Sequence, residues 1–188
     1  MTDTTKPEVS VLMPVYNERG TVEKALEELL RTQISERGWE VVVVDDGSTD
    51  GTEVLLRGRP WPDNVRLLRH DRNRGKGAAL RTALAAAEGT YATVMDADLE
   101  YSPADIPLLL EPLRNGDADA VFGTRGFQAH SAYSFWYVIG NRAVSFAANV
   151  IYNCWISDIM TGQKAMRTEV FRSLKLRERG FAIEAEIT

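Results

Sequence analysis

The sequence predicts an α/β fold in which helices wind over both faces of a mostly parallel sheet. Short apolar segments alternate along the chain with segments whose apolar residues recur at helical spacing. One of the apolar segments, Val41–Val44, is four consecutive valines, which is typical of a strand covered on both faces. Acidic residues directly follow several of these segments. Together these features predict a doubly wound sheet with polar groups at one edge.

Five strands and four helices are predicted in alternation. We expect the strands at 9–13, 41–44, 65–68, 91–95 and 120–122. We expect the helices at 18–31, 51–57 and 77–87, with a fourth that begins at Pro103, where proline suits the first turn.

Composition indicates a single globular domain over residues 1–188. Hydrophobic residues make up 44% of the chain, which suffices for one core, and the formal net charge is -5 without a dense basic segment. A nucleic acid is therefore not an expected partner. The only cysteine, Cys154, excludes a disulfide framework and favours a cytoplasmic location. Because residues 181–188 carry no terminating signal, we expect the domain to be cut short at its C-terminal end.

One apolar segment, from Tyr133 to Trp155, carries Arg142 as its only charged residue. Its length could span a bilayer, but glycine, serine and asparagine residues interrupt it throughout. We favour a helix that packs on the domain and contacts a membrane surface. Arg142 among aromatic residues would suit a lipid phosphate, and a surface arginine that extends from a core helix to solvent is the alternative.

The ends of the predicted strands carry the candidate site, since ligands of doubly wound sheets bind beyond the carboxyl ends of the strands. Asp96 and Asp98 follow the fourth strand two residues apart and could both face one hard cation, Mg²⁺ or Mn²⁺. Glu100 could add a third ligand. Capping of the helix at Pro103 is the alternative role, but acids at other strand ends favour a metal.

Two further segments offer nucleotide contacts. Asp46 could accept a hydrogen bond from a base or a ribose hydroxyl, as acids do in dinucleotide folds, whereas the role of Asp45 is less certain. A turn formed by the Asp46-Gly47 sequence is compatible with a nucleotide contact by either aspartate. Lys76, in a glycine-rich segment before a helix, could contact a phosphate, and an ordinary turn is an equally good interpretation.

The remaining candidates are single residues. Arg125 follows the fifth strand and is expected at the same edge of the sheet. Asp158 could act as a general base or as a positioning group. His70 and His130 have no partner spacing that indicates a site, and we interpret both as ordinary polar residues.

Eight sequence segments, taken in their order and spacing, carry a family resemblance. They are VSVLMPVYNE, VVVVDDGSTDGT, NRGKGAALRTAL, VMDADLEYSP, DAVFGTR, GNR, DIMTGQKAMR and GFAIEAEIT. From Val9 to Thr188 the chain resembles family 2 glycosyltransferases with the GT-A fold, whose nucleotide-binding half is Rossmann-like. Within that family it looks most like the dolichol- and polyprenyl-phosphate mannosyl- and glucosyltransferases.

The resemblance implies roles for individual residues. Residues that would frame the base and ribose are Pro14, Tyr16, Glu18 and Asp46. The Asp96-Ala97-Asp98 segment matches the Asp-x-Asp that contacts the nucleotide and holds the metal, and Glu100 stands where lipid-phosphate relatives often have glutamine. Arg125 and Arg142 match basic positions associated with the acceptor phosphate. Asp158 matches the base of relatives that use hydroxyl acceptors.

The implied reaction is an inverting, metal-dependent transfer of a hexose from GDP-mannose or UDP-glucose to a polyprenyl phosphate at the cytoplasmic face of a membrane. A lipid phosphate is already anionic, so Asp158 would orient it, while Asp98 with its metal and Arg125 would stabilise the leaving diphosphate. Two alternatives remain at this point: the same donor with a saccharide or other hydroxyl acceptor, and a non-catalytic module that binds nucleotide sugars.

Overall fold

The computed structural model describes residues 6–124, 135–153 and 155–188. Within this part of the chain the strands form one sheet. They are β1 (Val9–Val15), β2 (Trp39–Asp45), β3 (Val65–Arg69), β4 (Tyr91–Val94), β5 (Ala120–Phe122) and β6 (Lys164–Arg167). The order across the sheet is β3–β2–β1–β4–β6–β5. The first four strands are parallel, and β6 runs antiparallel to both β4 and β5.

Helices cover both faces of this sheet, as the sequence predicts. They are α1 (Val22–Arg31), α2 (Thr52–Arg57), α3 (Lys76–Ala86), α4 (Ile106–Asn115, after a 3₁₀ turn at Pro103–Asp105), α5 (Phe135–Tyr152), α6 (Thr168–Ser173) and α7 (Ile183–Ile187). Alternate strand residues point to opposite faces, so each strand feeds two cores. Val41 and Val43 belong to the core with α1 and α4, whereas Val42 and Val44 belong to the core with α3 and α7.

The predicted strands are confirmed, with ends that shift by one or two residues. All four valines of β2 are fully buried, as a strand covered on both faces requires. The sequence analysis missed β6, α6 and α7. Strand β6 is four residues long and has a basic residue at each end, so it lacks the apolar pattern that marks a strand.

Helix α5 occupies most of the apolar segment that the sequence singled out. Its Ser145 and Ala148 are buried, and Ser145 accepts a hydrogen bond from the backbone N–H of Ile159 at 3.2 Å. Asn149 exchanges hydrogen bonds with the backbone of Ile156 at 2.7 and 3.0 Å. The helix therefore packs on the loop that follows it. In the described part of the chain no helix combines the length and the apolarity needed to cross a membrane.

The edge of the sheet at the amino ends of the strands is held by buried charge. Glu8 accepts two hydrogen bonds from the guanidinium of Arg114, at 2.7 and 3.2 Å, and another from Ser35. Burial alone raises the pKa of Glu8, but the hydrogen bonds from Arg114 and Ser35 and the charge of Arg114 outweigh burial, so this pKa lies below its ordinary value of 4.5. This pair ties the end of α4 to the start of β1.

We expect Arg114→Gln to lower the free energy of unfolding by about 2 kcal/mol at neutral pH, because a buried carboxylate loses a charged partner. The folded pKa of Glu8 lies below its unfolded value of 4.5. Its stabilisation is therefore complete above that value and is lost as the pH falls through the folded pKa. Urea denaturation at several pH values should show the difference between wild type and variant shrinking in acid.

The matched control is Arg37→Gln, since Arg37 lies 3.7 Å from the same carboxylate but is exposed. Arg37→Gln should lower the free energy of unfolding by less than about 1 kcal/mol. An equal loss in both variants, or a difference that does not depend on pH, would contradict the assignment.

Candidate functional site

A cavity of about 320 Å³ opens at the carboxyl ends of β1, β2 and β4. We call it the site cavity. It is lined by Pro14, Val15, Tyr16, Glu18, Asp46, Asn73, Gly75, Lys76, Ala79, Asp96, Ala97, Asp98, Gly180 and Phe181. Eight residues that the sequence singled out thus come together here: Pro14, Tyr16, Glu18, Asp46, Lys76, Asp96, Ala97 and Asp98. Parallel strands that end at one edge deliver them, as expected for a doubly wound sheet.

The loops after β1 and β2 are tied to each other at the mouth of this cavity. The backbone N–H of Asn17 donates to Ser48 Oγ at 2.9 Å, and Asn17 Oδ1 accepts from the backbone N–H of Thr49 at 2.8 Å. Asn17 adopts a positive φ of 56°, which asparagine tolerates better than most residues. The sequence analysis did not single out these two hydrogen bonds between the loops. They hold the backbone at Asn17, between Tyr16 and Glu18.

Two carboxylates approach the cavity from the loop after β4. Asp96 Oδ2 lies 2.7 Å from Lys76 Nζ. Burial raises the pKa of Asp96, Lys76 opposes that rise, and the charges of Glu184 and Asp98 add to it, so the pKa stays above its ordinary value. Asp98 is exposed, and its Oδ1 accepts from the backbone N–H of Glu100 at 3.0 Å. The exposed carboxylate is the one open to an incoming ligand.

These two carboxylates fit a hard cation. Mg²⁺ commonly takes only one or two protein carboxylates and completes its octahedron with water and phosphate oxygens. Asp96 and Asp98 line one cavity, although among the described residues no three acidic, histidine or cysteine side chains gather as a metal-binding group. Glu100 is not part of the cavity lining, and its role as a ligand stays a prediction.

Behind Asp96 a row of buried charges reaches into the domain. Lys76 Nζ contacts Asp96 Oδ2 and Glu184 Oε1, both at 2.7 Å. Glu184 Oε2 lies 3.0 Å from the Nζ of Lys164, which is fully buried and also donates to the backbone carbonyls of Glu184 and Ile159. We call Asp96, Lys76, Glu184 and Lys164 the charge row. It joins α3, α7 and β6 to the loop that carries the two aspartates.

The charge row sets the protonation of both lysines. Burial lowers the pKa of Lys76, but Asp96 and Glu184 outweigh burial and hold that pKa above its ordinary value. Burial likewise lowers the pKa of Lys164, and here Glu184 compensates only in part, so the pKa stays below its ordinary value. Lys76 is therefore a fixed positive charge in the wall of the site cavity.

Asp46 is held by the protein itself. Its two carboxylate oxygens accept from the backbone N–H groups of Arg74 and Gly75 at 2.7–3.1 Å, and Oδ1 lies 2.6 Å from Nδ1 of His70. The Nε2 of His70 lies 2.8 Å from Thr82 Oγ1. The interpretation of His70 as an ordinary polar residue is therefore wrong: it is buried and positions Asp46. The contact of Asp46 with a base or ribose stays a prediction.

Asp45 points to a different place. Its Oδ1 accepts from the backbone N–H of Ser48 at 3.0 Å, and its Oδ2 lies 3.6 Å from Nε of Arg69. It lines a separate cavity beside α2 and β3, together with Glu53 and Arg69. The structure therefore does not bring Asp45 to the site cavity, and its nucleotide contact stays a prediction.

The glycines before α3 serve chain packing. A Cβ on Gly75, whose φ is +94°, would lie 2.3 Å from the carbonyl oxygen of Arg179, and one on Gly77 would lie 2.2 Å from that of Glu178. The N–H of Gly77 donates to the Arg179 carbonyl at 2.8 Å. The sequence left two interpretations of this segment, a turn and a phosphate contact. The turn describes its backbone, because Glu178 and Arg179 pack against the start of α3. Lys76 nevertheless reaches the site cavity.

The remaining predicted residues lie elsewhere. Asp158 is buried outside the cavity lining, where its Oδ1 accepts from Asn141 Nδ2 at 2.9 Å and from the backbone N–H of Met160 at 3.1 Å. Arg142 is exposed on α5 and does not line the site cavity. Arg125 and His130 lie outside the described residues. Their predicted roles stay predictions.

The loop after Asp158 does reach the site. A Cβ on Gly162 would lie 2.9 Å from Asp96 Oδ2 and 3.0 Å from the ring of Tyr101. The N–H of Gly162 donates to the Tyr101 hydroxyl at 2.9 Å. The absence of a side chain at Gly162 thus leaves room for the Asp96 carboxylate. The loop from Asp158 to β6 therefore connects α5 to the loop that carries Asp96 and Asp98.

Glu184→Gln should lower the free energy of unfolding by about 3 kcal/mol, because it leaves the fully buried Lys164 without its compensating charge. Adding Lys164→Met should recover part of this loss. The control Glu186→Gln alters an exposed carboxylate that accepts only backbone N–H groups, and should cost about 1 kcal/mol. Urea denaturation of the wild type, Glu184→Gln, Lys164→Met and the double variant measures the coupling between Glu184 and Lys164, with Glu186→Gln as the control. Equal losses in Glu184→Gln and Glu186→Gln, or no recovery in the double variant, would overturn this view of the charge row.

Sequence comparison identifies relatives over most of the chain. Residues 10–175 match the family described as "Glycosyl transferase family 2". The chain is 31% identical over 183 residues to the dolichol-phosphate mannosyltransferase of Pyrococcus furiosus, covering 95% of this chain and 51% of that enzyme. It is 33% identical over 121 residues to the dodecaprenyl-phosphate galacturonate synthase of Rhizobium johnstonii, covering 63% of this chain and 36% of that enzyme.

Structural comparison finds the same fold. Glucosyl-3-phosphoglycerate synthase of Mycobacterium tuberculosis, solved with Mn²⁺, UDP and glucosyl-3-phosphoglycerate, superimposes with a TM-score of 0.71 at 24% identity. The match covers 97% of this chain and 64% of that one. The fold is thus the GT-A fold that the resemblance implied. The family match covers residues 10–175, which include every lining residue of the site cavity except Gly180 and Phe181, and the chain therefore belongs to glycosyl transferase family 2.

Proposed function

We propose that this domain transfers a hexose with inversion from a nucleotide diphosphate sugar to a polyprenyl phosphate, using Mg²⁺ or Mn²⁺. The observation that carries the proposal is the site cavity, where the exposed Asp98, the paired Asp96 and the cation of Lys76 meet at the carboxyl ends of the parallel strands. Two relatives named for lipid-phosphate chemistry, the dolichol-phosphate mannosyltransferase and the dodecaprenyl-phosphate galacturonate synthase, support this acceptor class.

The charges in the site cavity suit a donor that leaves as a nucleoside diphosphate. Asp98 and Asp96 would hold the cation, which when bound neutralises charge on the departing diphosphate. Lys76, fixed by Asp96 and Glu184, adds a permanent positive charge to the same wall. Tyr16 and Glu18, on the loop after β1, line the cavity and would frame the nucleoside. GDP-mannose and UDP-glucose are both candidate donors.

The acceptor side of the proposal rests on α5. Its exposed face carries large apolar side chains: Phe146, Val150, Ile151, Tyr152 and, just after the helix, Trp155. Such a face suits the apolar chain of a polyprenyl phosphate or the surface of a membrane, which would be the cytoplasmic face. Arg142 on this helix and Arg125 would contact the acceptor phosphate. Because that phosphate is already anionic, it needs no general base. Asp158 would instead help to position it through the loop from Asp158 to β6.

A second candidate is transfer of the same donor sugar to a hydroxyl group. Glucosyl-3-phosphoglycerate synthase, which shares the fold, was solved with phosphoglyceric acid bound, and a small phosphorylated acceptor is therefore compatible with this architecture. Asp158 would then serve as general base, because a hydroxyl must lose its proton. A module that binds the donor without turnover is a third possibility.

The direct test incubates purified protein and Mg²⁺ or Mn²⁺ with a short polyprenyl phosphate and each nucleotide sugar in turn. We expect metal-dependent release of nucleoside diphosphate from one donor, with its sugar carried into the organic phase, and no transfer with a chelator present. Release without a lipid product indicates a hydroxyl acceptor. Donor binding without release under any acceptor contradicts the enzymatic proposal.

The metal assignment predicts that Asp98→Asn lowers kcat/KM by about 10²-fold or more, since it removes a carboxylate from the cation that neutralises the leaving group. Glu111→Gln is the control, since Glu111 is an exposed carboxylate on α4 outside the cavity lining. It should leave kcat/KM within about threefold of wild type. Transfer that survives both chelation and Asp98→Asn would contradict a metal in this site.

The acceptor assignment predicts that Arg142→Ala lowers transfer to polyprenyl phosphate by about tenfold or more while the KM for the donor stays unchanged. Arg31→Ala, an exposed arginine near the end of α1, is the control and should change neither quantity. Equal lipid transfer by Arg142→Ala and the control would remove Arg142 from the acceptor site.

A further inference from the structure

Another cavity, of about 650 Å³, lies beside the site cavity at the same edge of the sheet. We call it the arginine cavity. It is lined by Arg72, Asn73, Arg74, Gly75, Ala78, Arg81, Arg179 and Gly180. Its walls are the loop after β3, the first turns of α3 and the segment before α7. Asn73, Gly75 and Gly180 are shared with the site cavity, so the two cavities have a common wall.

The lining of this cavity is strongly and uniformly basic. Half of the lining residues are arginines and none is acidic, in a chain whose net charge is -5. The side chains of Arg72, Arg74 and Arg179 are exposed, and within the described ranges none of the three is paired with a carboxylate. Arginines on a surface of this composition commonly have an acidic neighbour, as Arg31, Arg57 and Arg59 do here.

The backbone fixes these arginines in place relative to one another. The carboxylate of Asp46 accepts hydrogen bonds from the backbone N–H groups of Arg74 and Gly75. The carbonyl oxygen of Arg179 accepts one from the backbone N–H of Gly77 at 2.8 Å. Arg81 donates to the carbonyl oxygen of Glu178. The nearby carboxylate of Glu186 is already occupied by the backbone N–H groups of Arg177 and Glu178. No carboxylate of the described residues lines the arginine cavity, so positive charge is concentrated on its surface, and a bound anion would relieve the repulsion.

We propose that the arginine cavity binds a phosphate-bearing anion, at a site separate from that of the nucleotide sugar. A guanidinium matches two phosphate oxygens with its paired N–H groups, and several guanidiniums around one concave surface select for phosphate groups over isolated carboxylates. The cavity has more room than a single phosphate needs, which favours a diphosphate or a phosphate ester with an organic part as the ligand. Its source is either an anionic phospholipid headgroup or a soluble phosphate ester.

The test compares two double variants of equal charge change. Arg72→Gln with Arg179→Gln alters the arginine cavity, and Arg31→Gln with Arg37→Gln alters two exposed arginines outside it. Inorganic pyrophosphate is titrated calorimetrically into each protein in the presence of a chelator. We expect the arginine-cavity variant to bind pyrophosphate at least about tenfold more weakly than wild type, and the control to bind within about twofold.

A vesicle assay distinguishes the two sources. Cosedimentation with phosphatidylcholine vesicles is compared with and without phosphatidylglycerol. Loss of phosphatidylglycerol-dependent binding in the arginine-cavity variant alone assigns the cavity to a lipid headgroup, whereas weaker pyrophosphate binding without that loss assigns it to a soluble phosphate ester.

Two results would overturn the proposal. One is identical behaviour of the two double variants in both assays. The other is an equal weakening of UDP-glucose or GDP-mannose binding in the arginine-cavity variant, which would make the arginines part of the donor site. Thermal denaturation of both variants, together with the single variants Arg72→Gln and Arg179→Gln, separates loss of binding from loss of folding.

Discussion

The placement of Glu184 between two lysines is the constraint on which the site depends. Lys76 enters the wall of the site cavity from the start of α3, and Lys164 is fully buried in β6. A buried ammonium is tolerated only with a compensating charge, and one carboxylate from α7 serves both. The position of Asp96 follows from this arrangement, since its partner is the lysine that Glu184 holds. An element near the end of the chain thereby controls a loop from its middle.

The parallel half of the fold follows from the sequence because its strands carry continuous apolar runs and end in acids. The same signal located Asp46, Asp96 and Asp98, which lie on one edge by virtue of strand direction alone. Strand β5 was predicted from its apolar run, but β6, which pairs antiparallel with β4 and β5, was not predictable in this way. Strand β6 buries a lysine together with Ala165 and Met166, so Lys164 resembles a surface residue until its partner is known. Side chains that pair across a long stretch of sequence, such as Lys164 with Glu184 or His70 with Asp46, leave no recognisable pattern in the local sequence.

The family relationship and the geometry constrain different halves of the reaction. The site cavity, built on the parallel strands, accounts for a nucleotide donor whose diphosphate requires positive charge. In the proposed reaction the acceptor would lie with α5 and the loop that follows it, where the exposed face of the helix is apolar and Ser145 and Asn149 tie the helix to that loop. A Cβ on Gly162 would lie 2.9 Å from Asp96 Oδ2, so the loop from Asp158 to β6 packs closely on Asp96. The proposed acceptor groups on α5 and the proposed metal ligands after β4 therefore share one structural support.

The close packing of residues 178–180 on Gly75 and Gly77 has a consequence for how the domain is made. The carbonyl of Glu178 accepts from Arg81, a residue 97 positions earlier, and the carbonyl of Arg179 accepts from Gly77. During synthesis, the parallel strands β1 to β4 emerge well before the segment that locks the loop preceding α3. Contacts between distant residues form late and slow folding. A nascent chain can therefore pair its parallel strands before it completes the site cavity, whose wall includes Gly180 and Phe181 and closes only after these residues have left the ribosome.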